Sequence, residues 1–120
     1  MGFFDPKASL LYTVDCFGAV LPAPVDSVED VGKDAFRNGM VTWSSIDSPW
    51  LKAVDRAALG RGLAAIDRLA PKHLVSAHLP VLEGRAATLT NPIAEVYCHG
   101  AALNDPANTE PALAPFAMAA

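Results

Sequence analysis

The chain has little cysteine, little histidine and no concentration of positive charge. Its two cysteines, Cys16 and Cys98, do not make a disulfide framework of the secreted kind and are expected to be free thiols in a reducing compartment. Nine Lys and Arg against thirteen Asp and Glu leave a formal net charge of −4, and the basic residues are scattered. Phosphate backbones are bound by clustered Lys and Arg, so nothing electrostatic points to nucleic acid or an anionic membrane surface as partner. No apolar run reaches the roughly 18 residues of a membrane-spanning helix. Met1-Gly2-Phe3-Phe4-Asp5 has neither the positive n-region nor the long apolar h-region of a signal peptide. A cytoplasmic location is the expectation. The G-x-S-x-G elbow, the P-loop and G-x-G-x-x-G are absent, as is any internal repeat, which removes the usual sequence signals for a serine hydrolase, a nucleotide hydrolase and a dinucleotide-dependent oxidoreductase.

What is present is an apolar content of 52% over 120 residues, enough for the core of one domain. Two stretches organise it. Leu10-Leu11-Tyr12-Thr13-Val14 runs into Asp15-Cys16-Phe17-Gly18, and His73-Leu74-Val75-Ser76-Ala77 runs into His78-Leu79-Pro80. Each is a strand that stops on a residue able to bind metal, followed by a turn-forming Gly or Pro. The carboxyl ends of strands are where α/β folds gather their chemistry. An Asp oxygen and a His nitrogen delivered side by side suit zinc, iron or manganese, although two ligands do not hold such an ion alone. Cys16 is expected on the other face of the strand from Asp15, in the core or behind the ligands.

Around these stretches the chain reads in order. Phe3-Phe4 forms a strand that turns at Asp5-Pro6-Lys7 and pairs with a second strand over about 9–14. Leu21-Pro22-Ala23-Pro24 is a loop. A helix begins near Asp26 or Ser27, buries Val28, Val31, Ala35, Phe36 and Met40, and stops at Asn38-Gly39. A second helix opens with Ser48 as N-cap and Pro49 in its first turn, buries Leu51, Val54, Ala58, Leu63, Ile66 and Leu69, and ends before Pro71. Asp55 falls inside that apolar stripe and is expected to reach solvent or a basic partner. Glu83-Gly84-Arg85 is read as the beginning of a loop or short helix with Glu83 in the loop, 92–97 as a turn or two of helix, and 101–120 as an Ala/Pro-rich tail or linker without packed structure. His73 and His99 are taken as ordinary surface or hydrogen-bonded histidines.

The order Asp15-Cys16-Phe17-Gly18, a helical middle, Ser48-Pro49-Trp50, then Ser76-Ala77-His78-Leu79-Pro80, with Asp15 and His78 63 positions apart, resembles the C-terminal half of a metallo-β-lactamase-fold domain. It is most similar to the di-iron domain of flavodiiron proteins, in which D-x-F-G carries a metal-bridging Asp and S-x-H-G-P the last His ligand. The resemblance covers about residues 3–97. It implies half of an αββα sandwich, one sheet with two or three covering helices over residues 1–100. It implies Asp15 and His78 as metal ligands, and a dinuclear iron or zinc site in the complete domain.

Two departures stand out. Leu79 occupies the place of the family's Gly, and no His/Glu/Asp-rich motif precedes Asp15. The chain is therefore expected to be a piece of a larger domain, cut or split upstream, inactive alone and completed by the missing half, by a partner chain or by self-association. With iron the implied reaction is reduction of oxygen or nitric oxide, with zinc a hydrolysis. A non-catalytic interaction module is the remaining alternative.

Overall fold

A computed structural model describes residues 2–101; the tail expected from residue 102 onward lies outside the described residues. Strands β1 (Phe3–Asp5), β2 (Leu10–Val14), β3 (His73–Ser76) and β4 (Leu82–Glu83) form one sheet in the order β1-β2-β3-β4. β1 and β4 run antiparallel to their neighbours, while β2 and β3 are parallel. A parallel pair needs a long crossover, and here it holds helices α1 (Lys33–Asp47) and α2 (Arg56–Leu69). Helix α3 (Ala87–Ile93) contains Pro92 and continues as a wider π-helical turn, Ala94–Cys98. The architecture is mixed α/β.

Period-two alternation gives the sheet two unlike faces. Phe4, Leu11, Leu74 and Leu82 stand in register across the four strands, and this row packs into the core with Phe36, Met40, Val41, Leu63, Leu89 and Ile93 from the helices. The alternate rows are Phe3-Tyr12-Val75 and Asp5-Leu10-His73-Glu83. None of their members is buried. Phe3 is 59% exposed and its ring meets that of Tyr12 at 5.5 Å. One face of the sheet is thus roofed by helices, and the other carries side chains that are half-buried or exposed among the described residues.

Three sequence expectations need correction. Asn38-Gly39 does not stop a helix. A short 3₁₀ turn at Val28–Asp30, capped by the Ser27 hydroxyl, comes first, and α1 then starts at Lys33 and runs straight through Gly39 to Asp47. The glycine is there for space: a Cβ on it would lie 2.3 Å from the Val20 carbonyl oxygen, and the Gly39 carbonyl accepts a hydrogen bond from the Val20 N–H at 3.0 Å.

The second helix is likewise divided. Pro49–Ala53 is a 3₁₀ turn that Ser48 does not cap through its side chain, and α2 begins only at Arg56, with Asp55 as its N-cap accepting from the Ala58 N–H at 2.9 Å. The carboxylate that looked misplaced in an apolar stripe is thereby an exposed cap at the positive end of the helix. Asp55→Ala is expected to cost about 1 kcal/mol of stability, measurable by urea denaturation, while Asp55→Asn keeps most of the cap.

Glu83 is not in a loop. It pairs with His73 across β3 and β4, His73 Nδ1 lying 2.8 Å from Glu83 Oε2.

Candidate functional site

Because β2 and β3 are parallel neighbours, their carboxyl ends lie together, and the residues just past them meet. Asp15 Oδ1 and His78 Nε2 are 3.0 Å apart. The strands reach this point through an irregularity: the register shifts between Tyr12 and Val14, and Val14 and Phe17 both adopt positive φ, 57° and 61°. Left-handed backbone is unusual for a β-branched residue. It is held here by hydrogen bonds. Ala77 N–H donates to the Val14 carbonyl at 2.7 Å, and Cys16 N–H to that of Thr13 at 3.1 Å. The buried hydroxyls of Thr13 and Ser76 finish the turn. Thr13 donates to the Cys16 carbonyl at 2.9 Å; Ser76 donates to the Cys16 and Val14 carbonyls at 3.1 and 3.3 Å and accepts from the His78 N–H at 3.4 Å.

Trp43, three turns along α1, makes two further contacts that hold the pair. Its indole N–H donates to the Asp15 carbonyl at 2.9 Å, and its ring packs on the His78 imidazole with centroids 4.2 Å apart at 40°. Gly18 allows that approach. A Cβ there would come within 2.7 Å of Trp43 Nε1 and 2.9 Å of His78 Cβ. Leu79, which follows the histidine, packs against the core cluster.

Both members of the pair are exposed, Asp15 by 56% and His78 by 41%, and an ion pair so placed adds about 0–1 kcal/mol. Fold stability alone is thus a weak reason for so many supporting contacts. The separation is that of a direct hydrogen bond, and it falls within the roughly 2.9–3.4 Å between two donors on adjacent vertices around an ion with bonds of about 2.0–2.1 Å. The pair fits one edge of a coordination shell and no more. Among the described residues no group of three or more His, Cys, Asp or Glu is arranged to hold an ion.

The sequence-derived candidates Asp15 and His78 are brought together. Cys16 is corrected: it is an exposed free thiol, because the chain leaves the strand geometry at Val14 and alternation no longer orients the residues beyond it. Trp43, Thr13 and the spatial role of Gly18 escaped the sequence reading. For Trp43 a signal existed, since an indole N–H on a partly buried helix face needs an acceptor, but a helix ended at Gly39 leaves it unplaced. No helix of the described residues is long and apolar enough to cross a membrane. No protein-family model matches the chain, and neither curated proteins nor solved structures give a match.

Proposed function

We propose that this chain supplies one edge of a shared metal site, as the carboxyl half of a metallo-β-lactamase-like sandwich of the flavodiiron kind, and has little turnover by itself. The observation that carries the reading is the 3.0 Å approach of Asp15 Oδ1 to His78 Nε2 at the ends of adjacent parallel strands. The open apolar face bearing Phe3, Tyr12 and Val75 supports its second half, that another sheet, from a further polypeptide segment or a second copy, covers this side and brings the remaining ligands. A cytoplasmic location is part of the proposal, with the two free thiols as its support.

In such a site the residues of this chain have separable tasks. Asp15 places negative charge where cations would otherwise repel, and His78 supplies a neutral nitrogen once its Nε2 is free of a proton. Trp43 fixes the imidazole plane by stacking, and the Ser76 and Thr13 hydroxyls keep the two strand ends at a constant separation. Bound iron, kept reduced by an external electron donor, would pass electrons to oxygen or nitric oxide, and bound zinc would supply an activated water for hydrolysis.

Calorimetric titration of the purified chain with Zn²⁺, and anaerobically with Fe²⁺, tests this. The expected result is weak binding that Asp15→Asn or His78→Gln removes. Two equivalents of tightly held metal per chain, or binding that neither substitution changes, would overturn it.

A further inference from the structure

Behind Trp43 lies a cavity of about 110 Å³, lined by Phe17, Trp43, Trp50, Leu51, Leu63 and Ile93, with the exposed Cys16 in its wall. We infer that this cavity is a binding site for an uncharged single-ring aromatic group, independent of any metal at the Asp15–His78 pair. An enclosed engineered cavity of roughly 150 Å³ in another protein binds benzene; this one is smaller and opens to solvent beside Trp50, which is 60% exposed, so a single ring is the largest group it takes. Three of the six named residues are aromatic, and aromatic rings gain from offset or edge-to-face contact beyond the area they bury.

Ser44, Asp47 and Ser48 make the polar part of the lining. Asp47 is the one ionisable carboxylate in the wall; it is an exposed residue and accepts from the Ser48 hydroxyl at 3.2 Å. An ammonium group drawn into the cavity would give up water and gain contact with the indole faces beside a solvated carboxylate, so a small quaternary ammonium ion is the competing ligand that the test includes. Trp43 is shared, lining the cavity and packing on His78. A ring held there therefore sits one side chain from the pair, where the remainder of a larger molecule reaches it.

The two tryptophans of the chain, Trp43 and Trp50, both line the cavity, so intrinsic fluorescence reports directly on its occupancy. The experiment titrates the full chain with toluene and follows both this fluorescence and alkylation of Cys16 by iodoacetamide, with Cys98, which is not a lining residue, as internal control. The expected result is a saturable single-site change and slowed alkylation of Cys16 with Cys98 unaffected. Cys16→Phe, at an exposed position and therefore compatible with folding, puts a ring in the wall and weakens toluene binding by about ten-fold or more. A linear, non-saturating response, unprotected Cys16, unweakened binding in Cys16→Phe, or saturation by tetramethylammonium at concentrations where toluene gives none would each overturn the inference.

Discussion

Gly39→Val is expected to destabilise the chain by more than about 3 kcal/mol, a large share of the roughly 5–15 kcal/mol by which a domain is stable. The new Cβ would lie 2.3 Å from the Val20 carbonyl oxygen and 3.1 Å from its carbon. These are backbone atoms that cannot swing aside as a flexible side chain would. Moving them breaks the Val20 N–H to Gly39 carbonyl bond and shifts α1 at the level of Met40 and Val41, which are 0% and 1% exposed. In thermal unfolding followed by circular dichroism the midpoint is expected to fall by about 15 °C or more. Gly39→Ala separates this account from ordinary helix propensity. Alanine in a helix interior normally gains about 0.5–1 kcal/mol over glycine, whereas the contact with Val20 requires a loss here. A raised midpoint for Gly39→Ala would refute the close-approach reading.

Gly18→Val acts on the site instead. It is expected to remove the weak metal binding assigned to Asp15 and His78, by about ten-fold or more in affinity, at a smaller cost in stability than Gly39→Val. The added carbon meets Trp43 Nε1 at 2.7 Å and His78 Cβ at 2.9 Å. The indole can rotate away, at the expense of its bond to the Asp15 carbonyl. His78 Cβ is one bond from the backbone and moves only with β3's end, so the 3.0 Å approach of the two side chains opens. Zinc titration together with urea denaturation of the variant reads both effects. Unchanged affinity in a folded Gly18→Val would show that ligand positions do not depend on this packing.

Much of the sheet was legible in the residues. Leu10–Val14 and His73–Ser76 are short β-rich runs ended by turn signals, and both appear as strands at the expected places. The pairing of Phe3-Phe4 with β2 follows from the turn at Asp5-Pro6-Lys7, whose Asp5 Oδ1 accepts from the Lys7 N–H at 2.9 Å. The strand at Leu82–Glu83 was not visible because it is two residues long, too short to show alternation. The end of α2 before Pro71 was legible, whereas the course of α1 through Gly39 was not, and Ala58 and Leu69, expected in the buried stripe, are exposed. Asn38-Gly39 has the local chemistry of a stop, yet the helix continues there with Val20 packed against Gly39; Ser48-Pro49 has that of a start, and a helical turn does begin at Pro49, but it is 3₁₀ and ends at Ala53.

By itself the sequence singled out the candidate residues, one Asp and one His at strand ends, in a chain whose nine basic residues are scattered. It also determined the α/β class, through strand runs separated by amphipathic helices. Tertiary structure alone decided that β2 and β3 are parallel neighbours, and so that residues 63 positions apart touch. It alone brought Trp43 onto His78 and left Phe3 exposed on the helix-free face of the sheet among the described residues. The physical reason is that propensity and periodicity are properties of a few consecutive residues, whereas strand pairing, close backbone approach and the stacking of one ring on another depend on which distant segments the collapse of the whole core brings together.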